Sequence, residues 1–337
     1  MVDNENKPVN SGIYELRWNP FLGWWVMYAS SRQKRPLLPK DYCPFCPGSG
    51  KVPQKYDVMM YNNDFPILRL DPPKVKDIKN AGLAKIVKTA RSYGKCEVIL
   101  YSSEHQSHIG SFTDDKMFSL MNLWKNRYQE LGNEKKVKYV YIFENRGEVV
   151  GVTIPHPHGQ VYAYPFIPKK VELELRESKR YHQKNKSCIH CDLVKAETEI
   201  QDRVVMQSKY FTVFIPYFAE YPYQVWIVPG RHFQNILQMS SAETDDLAIT
   251  FRTVVKMYDA LFNMPFPYMM CLHQEPVDGK NYTHYHFHIE FYPPLRSQVT
   301  QKFNAGSETG AWVHGNPSSP EEKAEELRQV LKKVEGK

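Results

Sequence analysis

The sequence predicts an α+β protein made of two copies of one unit, with an antiparallel sheet and flanking helices. Two observations lead there. Short apolar segments of strand length alternate with capped helical segments, and one order of landmarks occurs twice along the chain: a Cys-x-x-Cys pair, a strand followed by a histidine, a helix, a strand, and a His-x-His pair.

In the first copy the landmarks are Cys43/Cys46, the strand Glu97-Val-Ile-Leu-Tyr101 and His105. A helix capped at Thr113 follows to Leu131, then the strand Val137 to Phe143 and the pair His156-Pro-His158. The segment Pro168 to Ser187 is a charged connector, helical at Val171-Glu-Leu-Glu-Leu-Arg176. The second copy has Cys188/Cys191, the strand Gln224 to Val228, and His232. Its helix starts at Ser241 and runs to Leu261, followed by the strand Tyr268 to Leu272 and by His284-Tyr-His286 with His288 beyond. His105 and His156 are 51 residues apart and His232 and His284 are 52 apart, a match in order and spacing that unrelated stretches rarely show. The units span roughly 40–168 and 185–294, which divides the chain into domains 1–168 and 169–337. A last helix takes Ser319 as N-cap and Pro320 at its first position, with Ala324, Leu327, Leu331 and Val334 on one face.

Composition narrows the function classes. With 337 residues, 42% hydrophobic and 24% charged, the chain has the make-up of a soluble globular protein. Met1 to Asn10 is polar, so no signal peptide is expected, and no apolar run is long enough to span a bilayer. A cytoplasmic location with no membrane partner is the resulting expectation. In a reducing compartment two Cys-x-x-Cys pairs point to metal binding or redox chemistry rather than to structural disulfides. The net charge of +7 is spread along the chain rather than massed on one element. It suits anionic small molecules and does not call for nucleic acid as a partner.

The chemistry concentrates at His156-Pro-His-Gly-Gln160. In an extended strand residues i and i+2 share a face, so His156, His158 and Gln160 should project together. A neutral imidazole can attack phosphorus and hold the phosphoramidate formed, which makes His158 the candidate nucleophile. The Gln160 amide can donate to a non-bridging phosphate oxygen, and Arg32 and Arg35 can neutralise the transferring charge. Gly159 should allow a ligand to come close. Cys43, Cys46, His105 and His156 have the S/N donor set that Zn favours. A zinc there would hold rigid the strand that presents His158. Internal symmetry predicts a second zinc at Cys188, Cys191, His232 and His284, and makes His286 the non-catalytic echo of His158.

Phe143-Glu-Asn-Arg-Gly147, His156-Pro-His-Gly-Gln160 and Phe291-Tyr-Pro-Pro-Leu-Arg-Ser297 together resemble galactose-1-phosphate uridylyltransferase, a family of the histidine-triad superfamily whose subunit carries two triad-type repeats. The resemblance runs from about Trp18 to Leu331. It implies two histidine-triad-like repeats and a ping-pong reaction. UDP-glucose would give UMP to His158, and galactose 1-phosphate, the hexose 1-phosphate acceptor, would take it up. It also implies that Asn63 and Asp64 hold the uridine ribose and that Asn145 and Thr153 lie near the transferring phosphate. Lys302, Phe303 and Glu308 match a hexose-contacting segment supplied by the neighbouring subunit of a homodimer, although Asn304-Ala-Gly-Ser-Glu-Thr-Gly310 departs from the best-known members. A further metal site of the family, for zinc or iron, maps to Glu174, His273 and His288, with Glu290 where the family has a fourth histidine.

Two other functions fit parts of the pattern. An ADP-sugar or dinucleoside polyphosphate phosphorylase would use the same histidine with an adenine nucleotide. A zinc-stabilised module without catalysis, contacting RNA through its basic excess, would not need His158 and would bind in a strongly salt-dependent way.

Overall fold

The computed structural model describes residues 13–34 and 42–336. Arg35 therefore lies outside the described residues. The first half contains β1 (Tyr14–Asn19), β2 (Trp24–Ala29), β3 (Met59–Asn62), the single-turn helix α1 (Ala81–Ala84), β4 (Thr89–Arg91) and β5 (Lys95–Leu100). Helix α2 (Asp114–Gly132), β6 (Tyr139–Arg146) and β7 (His158–Tyr164) complete it. Helices α3 (Lys169–Asn185) and α4 (Ile189–Ile200) lead into β8 (Val204–Gln207), β9 (Phe211–Phe214) and β10 (Val225–Pro229). The chain then forms α5 (Ser241–Leu261), β11 (Tyr268–His273), β12 (His288–Tyr292) and α6 (Pro320–Val334).

Nine strands form one sheet in the order β3-β5-β7-β6-β11-β12-β10-β9-β8, with every neighbouring pair antiparallel. The two copies meet at β6 and β11. Outward from that seam, β7, β5 and β3 on one side answer β12, β10 and β9 on the other, so the duplication read in the sequence is a duplication of topology within a continuous sheet. β1, β2 and β4 form a separate small sheet that the sequence reading did not anticipate.

The alternation along each strand explains the two faces. Val140, Ile142, Val161, Ala163, Met270 and Leu272 belong to the core beneath α2 and α5. In that core Trp124 of α2 meets Phe251 of α5 edge to face at 5.6 Å. Residues between them must point the other way. Register pairs Gln160 with Phe143, Phe143 with Cys271, Cys271 with Glu290, and His273 with His288, so these side chains share the opposite face. Both copies thus present their polar residues on one side of one sheet.

The helices follow their caps. The Thr113 side chain accepts from the Lys116 N–H at the start of α2, and Ser319 caps α6 with Pro320 next. Ala324, Leu327 and Leu331 of α6 are buried as expected. For α5 the cap is Ser240 rather than Ser241, because Glu243 reaches back to the Ser240 N–H and closes a capping box. The connector helix α3 is far longer than the predicted turn and a half; its second half consists of polar helix formers that carry no apolar period. It ends where Lys186 turns left-handed at φ 59°. Cys188 then occupies the N-cap of α4, which puts Cys191 in a helical first turn.

Candidate active site

His158 is the first residue of β7, and Gln160 follows it on the same face. They line a cavity of about 290 Å³ together with Arg32, Asn145 and Thr153. A second cavity of about 310 Å³, lined by Glu144, Arg146 and Tyr268 among others, also reaches His158. His158 Nδ1–H donates to the His156 carbonyl at 2.7 Å, which fixes the tautomer and places the ring's lone pair on Nε2. The Phe45 ring packs against this imidazole with centroids 5.6 Å apart.

His156 does not project with His158. It sits in the bend before β7, where strand alternation does not apply, and its ring turns to the cysteines. Its Nδ1 is 3.7 Å from both Cys43 Sγ and Cys46 Sγ, and His105 Nδ1 is 3.3 Å from Cys46 Sγ. All four donor atoms lie within 4.8 Å of one another. Tetrahedral zinc bonds of about 2.3 Å to sulfur and about 2.0–2.1 Å to nitrogen give S···N edges of about 3.5 Å, so this donor set fits zinc. His156 Nε2–H donates to the Ser102 carbonyl at 2.7 Å, with the Tyr56 hydroxyl at 3.0 Å. That outer bond orients the ring. Burial holds the His156 imidazole down at about 4, so the ring is neutral at physiological pH.

The second cluster corrects the sequence reading. Cys188, Cys191, His232 and His286 come together, and His284 does not. His286 Nδ1 is 3.6 Å from Cys188 Sγ and 3.4 Å from Cys191 Sγ, while its Nε2–H donates to the Pro229 carbonyl at 3.1 Å. His288 Nδ1–H donates to the His286 carbonyl at 3.0 Å, as His158 does to His156. The counterpart of His158 is therefore His288, not His286. The loop before the second pair is longer, so matching the first histidine of each run put the alignment two residues out. His286→Ala should abolish metal uptake by this cluster, read by atomic emission, and His284→Ala should leave it unchanged.

The third group is Glu174, His273 and His288. His273 Nδ1 is 2.9 Å from Glu174 Oε2, and its Nε2 is 3.1 Å from Glu290 Oε2. Lys170, unmarked in the sequence reading, places its ammonium 2.8 Å from Glu290. Burial works against the His273 imidazolium, but the Glu174 and Glu290 carboxylates outweigh it and push His273 up to about 9.

The remaining predicted residues are dispersed. Asn63 and Asp64 follow β3; Asp64 accepts from Tyr61 at 2.9 Å and Lys51 at 2.6 Å, and Tyr61 in turn meets Phe45 edge to face at 5.4 Å. Lys302 Nζ is 3.4 Å from Glu308 and Phe303 is exposed, and none of these three lines either cavity at His158.

Gly159 has a different role from the one expected. A Cβ there would collide with the Tyr101 hydroxyl and stand 2.9 Å from its Cζ. What approaches is a fully buried tyrosine, not a ligand. Gly159→Ala should displace β7 from Tyr101 and destabilise the fold by about 2–3 kcal/mol, read as a lower midpoint in urea.

Glu144 lies beside the same tyrosine and accepts from Tyr268 at 3.0 Å. Burial raises its carboxyl to about 7, although Arg146 and the tyrosines lower it. A value above the ordinary 4.5 means that its contribution is full below pH 4.5 and is lost as pH rises through 7. Melting temperature should fall between about pH 5 and pH 8, and Glu144→Gln should flatten that decline.

A histidine presented beside a Cys/His cluster, on a duplicated sheet with an arginine and two amides around it, places the chain among the α+β nucleotidyltransferases. The N-terminal domain of galactose-1-phosphate uridyl transferase matches residues 10–168, and the C-terminal domain matches 174–335. The chain belongs to the galactose-1-phosphate uridylyltransferase family. The family enzyme of Thermotoga maritima is 38% identical over 94% of this chain and 99% of its own, and that of Rattus norvegicus 31% identical over 95% and 88%. A solved uridylyltransferase superposes with TM-score 0.86 at 27% identity, covering 95% of this chain and 99% of the other. ADP-glucose phosphorylase from Arabidopsis thaliana shares the fold, with TM-score 0.71 at 23% identity over 93% and 98%.

Proposed function

We propose that this protein transfers UMP from UDP-glucose to galactose 1-phosphate through a uridylyl group carried on His158. The observation that carries this is the imidazole at the cavity, with Nδ1–H committed to the His156 carbonyl and Nε2 as the basic nitrogen. Nε2 attacks the α-phosphorus, the bond from phosphorus to the glucose 1-phosphate oxygen breaks, and that dianion leaves. A phosphate oxygen of galactose 1-phosphate then attacks the same phosphorus, the N–P bond breaks, and the neutral imidazole returns. While the N–P bond exists the ring is cationic, and the His156 carbonyl stabilises it through Nδ1–H. Arg32 and the Gln160 and Asn145 amides line the cavity where the phosphoryl oxygens would sit, with the Thr153 hydroxyl beside them. The Phe45 ring beside His158, with Tyr61 and the Asn63-Asp64 turn next to it outside the two cavities, would offer a surface for uridine.

Residues 1–168 carry the chemistry in this reading, and 169–337 supply the second repeat and the hexose segment. Lys302, Phe303 and Glu308 stand away from this chain's own cavity, which supports their use by a partner in a cytoplasmic homodimer. Among the described residues no helix is long and apolar enough to cross a membrane. Cys43, Cys46, His105 and His156 would hold one zinc and Cys188, Cys191, His232 and His286 another; zinc supplies rigidity at each bend. Glu174, His273 and His288 would hold a third ion, zinc or iron; Glu174 Oε1 is buried without a hydrogen-bond partner, and Lys170 competes for the carboxylates. Incubation with UDP-glucose or ADP-glucose labelled at the α-phosphate tests the donor. Protein-bound label should appear from UDP-glucose far faster; faster labelling from ADP-glucose would overturn the uridylyl reading.

A further inference from the structure

We propose that Lys170 is the resident cation of the third group and regulates its occupancy: a divalent ion settles there by displacing the Lys170 ammonium from Glu290. The inference deepens, and rests on, the reading of Glu174, His273 and His288 as a metal site. Their donor atoms lie within 4.8 Å of one another, and Glu290 is not among them. Glu290 shares the strand face of His288, and its Oε1 comes within 3.4 Å of His288 Nε2. Its Oε2 lies 3.1 Å from His273 Nε2 and 2.8 Å from Lys170 Nζ. The lysine therefore holds a carboxylate that an ion bound to His273 and His288 would draw in as a further ligand.

The fold places this lysine with care. Lys170 stands one helical turn before Glu174 in α3, so the helix delivers both to the cluster. The ammonium is 3.9 Å from Glu174 Oε1 as well, and it meets the Tyr292 hydroxyl. One cation thus bridges the two carboxylates, as a divalent ion does with twice the charge. A cation in the first turn of a helix is opposed by the macrodipole, and here the two carboxylates offset that. Lys170 is also the outermost member of the group. Its side chain is 55% exposed, against 2% for His273 and Glu290 and 1% for His288. A cavity of about 320 Å³, lined by Lys170, Glu174, His288 and Glu290 among others, leads to the cluster. An entering ion passes the lysine, whose flexible stem lets the ammonium swing into solvent. The Cys/His clusters are built differently. Nε2–H of His156, His286 and His232 donates to the Ser102, Pro229 and Thr283 carbonyls, with no cation in those bonds. The third ion is therefore the exchangeable one. When it leaves, Lys170 keeps α3 fastened to β12 through Glu290.

Cobalt(II) titrated into the full chain, with zinc in both Cys/His clusters, tests this. Cobalt held by histidine and carboxylate shows ligand-field bands without a thiolate charge-transfer band, so binding at the third group is read apart from exchange at the cysteines. Lys170→Met and Lys170→Gln should each bind cobalt at least about tenfold more tightly than wild type, because a like charge beside the ion is gone. Lys170→Arg keeps the charge and should stay near wild type. With the third group empty, the two neutral variants should melt below wild type, since Glu290 has lost its partner. Saturating cobalt should close that gap. Equal cobalt affinity in wild type and both neutral variants, whatever their melting temperatures, would overturn the role of Lys170 and leave it a structural ion pair. Cobalt bound by none of the four proteins would overturn the third-ion reading itself, and this inference with it.

Discussion

Replacing His158 with glycine should lower uridylyl transfer by at least about four orders of magnitude while leaving metal content and melting temperature close to wild type. The size follows from the chemistry of the cavity. Of the other polar groups that line it, Arg32 is a cation, Asn145 and Gln160 are amides, and Thr153 and Tyr162 carry neutral hydroxyls. None can replace an imidazole lone pair as a nucleophile toward phosphorus. The fold should tolerate the change, because His158 is only partly buried at the first position of β7. Gln160→Ala removes one donor to the phosphoryl group rather than the attacking atom, so it should cost about 10²-fold. Steady-state rates with UDP-glucose and galactose 1-phosphate, measured beside calorimetric melts, check both.

Removing a ligand of the first Cys/His cluster should damage stability and catalysis together. His156 supplies a ring nitrogen to the cluster and, through its own carbonyl, accepts the His158 Nδ1–H. With His156→Ala the zinc equivalent should be lost and the melting temperature should fall by about 5–10 °C. kcat should fall at least about tenfold as the carbonyl that orients the nucleophile drifts. The corresponding change in the second repeat, His286→Ala, should lower the melting temperature with much less effect on kcat, because the proposed chemistry is carried by His158 and not by His288. Calorimetry with zinc analysis and initial rates on both variants would show the asymmetry. Equal losses of kcat would mean that the two Cys/His clusters act through global stability alone.

Much of this was legible in the sequence because duplication displays itself. Two Cys-x-x-Cys pairs, two post-strand histidines and two His-x-His runs located the repeats, and β5, β6, β10 and β11 fell within a few residues of their apolar runs. The error at His284 came from spacing alone. Which histidine of each run faces the cysteines shows only in three dimensions, in the His156 and His286 ring-to-sulfur distances and in their backbone hydrogen bonds to Ser102 and Pro229. The end of α3, the small sheet of β1, β2 and β4, and the contact between Tyr101 and Gly159 depend on tertiary neighbours that no local pattern encodes. Phe45 could have been found, since it stands inside a motif already singled out. Lys170 could not, because one lysine in a charged connector carries no signal until α3 brings it to Glu290.

The most direct measurement is the intact mass of the protein after incubation with UDP-glucose and no acceptor, followed by peptide mapping. The mass should rise by one uridylyl group per chain, with glucose 1-phosphate released in equal amount. The group should map to His158, and galactose 1-phosphate should discharge it. A protein that turns over both substrates without gaining that mass, or that carries the group on another residue, would contradict covalent transfer through His158.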